Sequence, residues 1–248
     1  CSCGQKVSEC TYWQEVKSQY LGAVGDNDLK RSHELRTALD GVKALVRSLL
    51  RVPPGRFSVY QKDTHAIYRV LSEVTGRTVV VDSTKQVGRA HNLLRMEDLD
   101  VRVIHLVRDG RGVTWSRLRD RKRDPSVWRH GPYQSIFNWV VKNLLGVLIG
   151  RLHPDRYLRV KYEELVTDPA SQMARIGDFS GLDYSDATEK LLAGGVEAGH
   201  EIGGNKKART GTEPRALKLD EEWKRELPTR YNLFYILFAG ITSKFLGY

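Results

Sequence analysis

The sequence predicts an α/β fold with three layers, in which helices flank a central parallel sheet. Two uninterrupted apolar runs rich in β-branched side chains, RTVVVDS at 77–83 and VRVIHLV at 101–107, indicate strands covered on both faces. Between them, residues 85–99 (KQVGRAHNLLRMEDL) can form a short helix. A strand, a helix and a second strand over about 30 residues form a βαβ unit, whose strands are parallel neighbours joined by a right-handed crossover.

The segments before this unit predict helices. Residues 28–50 place apolar side chains three and four positions apart and end before Pro53 and Pro54, so we expect one helix with a proline stop. A second helix is predicted over 57–75. Gly76 is its expected C-cap, because glycine readily adopts the left-handed conformation that ends many helices.

The segments after the βαβ unit predict a third strand and more helices. The predicted elements are, in order, a helical stretch over 110–150 that is broken near residues 124–125 and 131–132, a strand over 156–165, and helices over 168–182, 220–227 and 231–243. The apolar run in the last helix is interrupted after about a dozen residues, which favours a buried core helix and no membrane insertion. At 248 residues, the whole chain is expected to form one domain.

The charge balance predicts a negatively charged partner. The chain carries 40 Lys and Arg residues against 30 Asp and Glu residues. A net charge of +10 fits a nucleotide, a nucleic acid, a sulfated glycan or an acidic membrane surface. Charge alone does not choose among them.

All three cysteines, Cys1, Cys3 and Cys10, lie in the first ten residues. The fold therefore has no disulfide framework, and we expect a reducing, cytoplasmic location. The three thiols could bind zinc, but no fourth ligand lies nearby in the sequence. Because a thiol cluster or one short disulfide fits equally well, we assign no metal site at this stage.

Cations follow both predicted strands of the βαβ unit. Lys85 follows the first and Arg108 the second, and in parallel sheets ligands bind beyond the carboxyl ends of the strands. A helix that begins near Gly110 would add its free N–H groups, and Gly112 keeps the turn clear of Cβ atoms. Ser116, two helical turns further on, could donate to an anion held by Arg108. A solvated arginine and a serine bonded to its own backbone are the alternative interpretation.

These residues resemble a known family. VVVDSTKQVGRAHNLL followed by VRVIHLVRDGRGVTWSR is similar to the core of the sulfotransferases that use 3′-phosphoadenosine 5′-phosphosulfate (PAPS), a P-loop-like architecture. The resemblance implies that Arg108 and Ser116 bind the 3′-phosphate and that Lys85 stabilises the leaving phosphate. It also implies a late nucleotide-binding loop within HEIGGNKKAR, with Gly204 and Asn205 in the part that closes over the nucleotide and a cation from Lys206, Lys207 or Arg209.

The resemblance further implies the reaction and its components. PAPS would be the donor and 3′-phosphoadenosine 5′-phosphate (PAP) the product, with in-line transfer to a hydroxyl of a small molecule or carbohydrate and no required metal. The loop that grips the 5′-phosphosulfate in the family is expected to precede Cys1. His65 and His91 are candidate bases by position, and a Glu from the portion that would precede Cys1 is the alternative. Trp115 and Trp139 are candidates for stacking on adenine. A structural role is the more common one for each of these four residues.

Two other functions are compatible with a basic α/β protein. A nucleotide-dependent kinase would need a G-x-x-x-x-G-K-[ST] loop, which this sequence does not contain. A nucleic-acid or heparin-binding module would give no reason for the spacing of Arg108 and Ser116, so we expect no nucleic-acid partner. The sequence leaves the acceptor and the oligomeric state open.

Overall fold

The computed structural model describes residues 1–25, 29–50, 56–123, 131–194, 200 and 217–248. Its residues divide into two compact units. The N-terminal unit comprises Cys1–Asp100 with Gly195–Arg215, and the C-terminal unit comprises Val101–Gly194 with Ala216–Tyr248.

The described part of the N-terminal unit is helical. Its helices are α1 (Thr11–Val24), α2 (Leu29–Asp40), α3 (Val42–Leu49), α4 (Phe57–Thr75) and α5 (Val87–Leu94). Helix α4 and its cap are as predicted, with Gly76 at φ 63°. The single helix predicted over 28–50 is wrong, because Gly41 adopts an extended conformation (ψ 156°) between α2 and α3. Glycine is a poor helix former, so the chain turns there at little cost.

The core of this unit lies between α1 and α4. Val16 and Tyr20 of α1 pack against Ala66 and Val70 of α4, and all four side chains are buried. These positions recur at helical spacing on each helix, which is how two amphipathic helices bury one shared face.

The strand predicted over 77–83 is not present in the structure. Residues 79–86 have no regular secondary structure, and Val79 and Val81 are 48% and 83% exposed. A β-branched run favours strand geometry, but a strand also needs a neighbour for its backbone N–H and C=O groups. Within the described chain, the sheet contains two other segments and not this one.

The C-terminal unit contains the sheet. Its strands are β1 (Val103–Val107) and β2 (Tyr157–Lys161), and its helices are α6 (Gly110–Arg123), α7 (Pro132–Leu152), α8 (Tyr162–Thr167), α9 (Pro169–Ser180), α10 (Ser185–Leu192), α11 (Trp223–Glu226) and α12 (Thr229–Leu246). The strands are parallel, with Val103 opposite Tyr157 and Val107 opposite Lys161. The predicted α/β class with a parallel sheet is therefore confirmed.

The third predicted strand is shorter than expected. It ends at Lys161 and continues directly into α8. Glu163 and Glu164 lie in the first turn of α8, where carboxylates favour a helix because they face its free N–H groups. The next helix begins as predicted, since the Asp168 side chain accepts a hydrogen bond from the Ser171 N–H at 3.2 Å.

The core of the C-terminal unit lies between β1 and two long helices. Val107 packs with Ile136 and Trp139 of α7 and with Tyr235 and Ala239 of α12. Each of these side chains is buried, so this end of β1 is held by both helices. The strand end is therefore a fixed base for the residues that follow it.

A half-buried histidine also joins β1 to α7. His105 lies 2.6 Å from the Tyr157 hydroxyl through Nδ1 and 3.1 Å from Asn143 Oδ1 through Nε2. Burial lowers its pKa below the usual value, so the ring is neutral at neutral pH. Its role is structural.

Helices α7 and α12 each bury only one side. Tyr235 and Ala239 of α12 lie in the core, as expected for a core helix, but Leu237 and Ile241 on its other side are 86% and 90% exposed. Among the described helices, α7 is long and apolar enough to cross a membrane by length and composition. One such helix is weak evidence for a span, because core helices of globular proteins meet the same criterion.

Candidate functional site

The turn between β1 and α6 is held on several sides. The Asp109 side chain is buried and accepts a hydrogen bond from the Arg111 N–H at 2.8 Å, which caps α6. The Asp109 N–H donates to Glu163 Oε1 at 3.1 Å, and the Trp139 indole donates to the Arg108 carbonyl at 3.0 Å. Residues distant in sequence thus fix the backbone that carries Arg108.

Tyr248, which follows α12, contributes to the same turn. The single proton of the Tyr248 hydroxyl is shared between two acceptors, the Val107 carbonyl at 2.8 Å and Glu163 Oε2 at 2.7 Å. Glu163 therefore bonds both the Asp109 N–H and the Tyr248 hydroxyl, which satisfies the polar groups at the end of β1.

The Arg108 side chain lies against α6. Its guanidinium is 4.6 Å from the centre of the Tyr162 ring, a cation–π contact, and its Nη2 is 3.2 Å from Asp220 Oδ2. A Cβ at Gly112 would come within 3.1 Å of Arg108 Nε. Glycine at this position therefore lets the guanidinium lie directly against the helix backbone.

Ser116 lies one turn beyond Gly112 on α6. Residues four apart share one face of a helix, so Gly112 and Ser116 lie on the same face of α6. The Arg108 side chain, which precedes the helix, reaches this face at Gly112. Thr114 donates to the Gly110 carbonyl at 2.8 Å, the usual contact of a hydroxyl within a helix. In the described part of the chain, no partner is found for the half-buried Ser116 hydroxyl.

An internal carboxylate occupies part of the space beside Arg108. Asp220 contacts both Arg108 and Arg119, each at 3.2 Å. Burial alone would raise the pKa of Asp220, but the hydrogen bond and charge of Arg108 hold it below its usual value. Asp220 is therefore ionised at neutral pH, and Arg108 already interacts with an anion.

Lys85 lies in the N-terminal unit, in the segment before α5. It is exposed and has φ 61°, a left-handed conformation that is uncommon for a residue with a Cβ. The preceding turn is closed by Asp82, whose Oδ1 accepts from the Thr84 N–H at 3.0 Å. The conformation of Lys85 therefore depends on how Asp82 is held.

Asp82 is held by a buried arginine. Arg89 Nε lies 3.0 Å from Asp82 Oδ2, and its terminal nitrogens donate to Tyr60, Thr64 and Tyr68 at 2.7, 2.9 and 3.0 Å. The Arg89 side chain is 4% exposed. This polar network connects the Lys85 segment to helices α4 and α5.

The remaining predicted site residues either lie outside the described part of the chain or make structural contacts. Gly204, Asn205, Lys206, Lys207 and Arg209 lie outside the described residues. Trp139 belongs to the core, and the Trp115 indole donates to Glu222 at 2.9 Å. The candidate bases also have structural contacts, since His65 lies 3.1 Å from Asp98 and His91 lies 3.1 Å from Ser48 Oγ.

Sequence reasoning missed the residues that position the predicted ones. Tyr162, Glu163, Asp220 and Arg89 contact the site segments, but a single sequence carries no signal for contacts between distant residues. The clustering of acidic residues in DEE at 220–222 is visible, although it also fits an ordinary solvated turn.

Gly110 is expected to be required for the turn to form. A Cβ there would lie 2.5 Å from Tyr235 Cε2 and 2.7 Å from Trp139 Cδ2, so Gly110→Ala should lower the free energy of unfolding by about 1–3 kcal/mol. Gly240→Ala is the control, because no atom lies within 4 Å of its added Cβ. Alanine in that helix should be neutral or stabilising. Equal unfolding midpoints in urea for both variants would contradict this account.

Residues 55–186, just over half of the chain, match the family model described as "Sulfotransferase family". Carbohydrate sulfotransferase 5 of Mus musculus is 28% identical over 153 residues, covering 55% of this chain and 38% of that protein. Carbohydrate sulfotransferase 2 of Homo sapiens is 29% identical over 185 residues, covering 57% and 33%. This chain therefore spans between a third and two fifths of the length of these curated relatives.

The chain also superposes on a solved sulfotransferase domain. The sulfotransferase domain from the Synechococcus PCC 7002 olefin synthase superposes with a TM-score of 0.49 at 20% identity, covering 94% of this chain and 78% of that chain.

Proposed function

Because the chain belongs to the sulfotransferase family, we propose that it transfers a sulfuryl group from PAPS to a hydroxyl of a carbohydrate. The observation that carries the proposal is the arrangement at the end of β1. The Arg108 side chain contacts α6 at Gly112, where the absence of a Cβ leaves room for it, and Ser116 lies one turn further along this helix.

In this proposal, Arg108 and Ser116 hold the 3′-phosphate of the donor. A phosphate at the start of α6 would also face the free backbone N–H groups of the first helical turn. The stacking of Arg108 on Tyr162 supports this role, because it fixes the guanidinium plane while leaving other N–H donors for a ligand. The 3′-phosphate would then be a second anion beside Arg108, in addition to the Asp220 carboxylate.

The transfer step is an in-line displacement at sulfur. A bond forms between the acceptor oxygen and sulfur, the bond from sulfur to the bridging phosphate oxygen breaks, and the acceptor proton is released to a base. Negative charge grows on the oxygen that leaves with PAP, so a nearby cation lowers the barrier. We assign this role to the Lys85 ammonium group.

A carbohydrate acceptor is proposed from the relatives. The matched mouse and human proteins are named as carbohydrate sulfotransferases. A sulfated or carboxylated glycan would also be attracted by the net charge of +10.

The direct test is transfer of labelled sulfate. The full-length protein is incubated with ³⁵S-labelled PAPS and a panel of glycans, phenols and steroid alcohols, without added magnesium. We expect label on glycans, with one PAP released per sulfated product. Label on phenols or steroids alone would overturn the carbohydrate assignment, and phosphate transfer from ATP with no sulfate transfer would favour a kinase.

Lys85→Ala should lower kcat about 100-fold or more while KM for PAPS changes little. The reason is that the ammonium group interacts most strongly with charge that develops in the transition state. Steady-state kinetics at varied PAPS concentration separate the two constants.

Lys62→Ala is the matched control, since Lys62 is an exposed lysine in the same unit. It should keep the parent kcat. A Lys85→Ala variant with unchanged kcat, or with a change confined to KM, would remove Lys85 from the transfer step.

A further inference from the structure

Three cysteine sulfurs converge at the start of the N-terminal unit. Cys10 directly precedes α1 and is fully buried. Its Sγ lies 3.7 Å from Cys3 Sγ and 3.7 Å from Cys1 Sγ. Gly4, at φ 88°, turns the chain so that Cys1 and Cys3 both approach Cys10. Each of the three cysteines is a free thiol.

A histidine distant in sequence completes the cluster. His200 Nδ1 lies 3.3 Å from Cys10 Sγ, a residue 190 positions earlier, and 3.6 Å from Cys1 Sγ. The four candidate ligand atoms all lie within 4.8 Å of one another. The fourth ligand that was not visible near the cysteines in the sequence is therefore present in the fold.

Neighbouring aromatic residues hold His200 in this position. The Trp13 indole donates to the His200 carbonyl at 2.7 Å. The Tyr12 ring stacks on the imidazole with 4.7 Å between centroids and 14° between planes. Both the backbone and the ring plane of His200 are thus fixed with Nδ1 facing the sulfurs, in the way that neighbouring side chains orient a histidine that binds a metal.

Four of the six distances between the candidate ligand atoms match a tetrahedral zinc site, and the other two are no longer than 4.8 Å. Bonds of about 2.3 Å from zinc to sulfur and about 2.0–2.1 Å from zinc to nitrogen place two sulfurs about 3.8 Å apart and a sulfur and a nitrogen about 3.5 Å apart. The two sulfur pairs at 3.7 Å and the sulfur–nitrogen pairs at 3.3 and 3.6 Å are close to these values. A disulfide would need sulfurs about 2.0 Å apart.

We propose that Cys1, Cys3, Cys10 and His200 bind one structural Zn²⁺ ion. Binding releases three thiol protons to solvent and leaves a complex with one net negative charge, formed from three thiolates, a neutral imidazole and the ion. All four positions around zinc are taken by protein atoms, so no position is open for a substrate. The ion would link the first ten residues to His200, which is distant in the sequence. This proposal does not depend on the transferase activity.

The first test is metal content. Tag-free full-length protein, purified without chelators, should contain about one zinc per chain by inductively coupled plasma mass spectrometry. Cys10→Ser and His200→Ala should each lose most of this zinc. His33→Ala is the matched control, because it removes an exposed imidazole from the same unit and should leave the zinc content unchanged.

A second measurement identifies the ligands without relying on variants that could fail to fold. Co²⁺ added to reduced, metal-free parent protein should produce thiolate-to-cobalt charge-transfer bands and the intense visible bands of a tetrahedral ion. His200→Cys should retain one metal per chain and shift these bands toward those of a four-thiolate site.

The proposal is overturned if the parent protein contains no zinc and reduced protein gives no tetrahedral Co²⁺ spectrum. It is also overturned if His33→Ala loses as much zinc as His200→Ala. Mass spectrometry that finds two of the thiols joined in the native protein would assign the cluster to a disulfide instead.

Discussion

Arg108→Ala should weaken the binding of adenosine 3′,5′-bisphosphate by about 100-fold or more. Arg108 is the cation proposed to hold the 3′-phosphate, and charge-assisted hydrogen bonds contribute about 1.5–3 kcal/mol each. Two such bonds correspond to a factor of this size, since about 1.4 kcal/mol is tenfold in affinity. Isothermal titration calorimetry with the bisphosphate measures the loss, and AMP serves as the ligand without a 3′-phosphate.

Arg121→Ala is the control for charge. Arg121 is exposed on the same helix, so its removal changes the net charge equally and should alter affinity only a few-fold. Asp220→Asn should act in the opposite direction and tighten binding several-fold, because it removes a carboxylate next to Arg108. If the parent binds AMP as tightly as the bisphosphate, Arg108 is not a 3′-phosphate ligand.

Arg89→Met should lower the free energy of unfolding by about 3–5 kcal/mol. Removing one partner of a buried ion pair leaves the other charge uncompensated, and Asp82 is 16% exposed. The change would also leave Tyr60, Thr64 and Tyr68 without their arginine donor. Urea unfolding followed by tryptophan fluorescence and circular dichroism measures the effect.

Arg69→Ala is the matched comparison. Arg69 lies on α4 and is 64% exposed, 3.8 Å from Glu73, so its loss should cost less than about 0.5 kcal/mol. Arg89→Lys keeps the charge without the planar arrangement of donors and should fall between the two. A loss below about 1 kcal/mol in Arg89→Met would show that the network does not stabilise this unit.

The fold was predictable where local pattern and long-range pairing agree. The run at 101–107 contains β1, and the run at 156–165 contains β2, because each apolar segment has the other as its neighbour in the sheet. The run at 77–83 is equally rich in β-branched residues but forms no strand. Such a run favours the extended backbone of a strand, but it does not provide a neighbouring strand to pair with. Gly41 similarly divides a helical pattern that its neighbours would have continued.

The candidate site was predictable only for residues whose relation is local. Arg108, Gly112 and Ser116 are joined by one turn and one helix, so their spacing predicts their arrangement. Asp220 and Tyr248 reach the same turn from more than 100 residues away, as the Arg108–Asp220 and Val107–Tyr248 contacts show. The assignment of function to Arg108, Ser116 and Lys85 stays a prediction until binding and turnover are measured.

The Tyr248 contact has a consequence for folding during synthesis. Its hydroxyl bonds the Val107 carbonyl across 141 residues, and α12 covers the same strand end. Contacts of such high sequence separation form late, because a long loop must close first. On the ribosome, β1 and Arg108 would emerge well before the residues that complete their surroundings. Until α12 leaves the exit tunnel, α7 alone can cover the apolar end of β1, and apolar surface left exposed in this interval favours aggregation of the nascent chain.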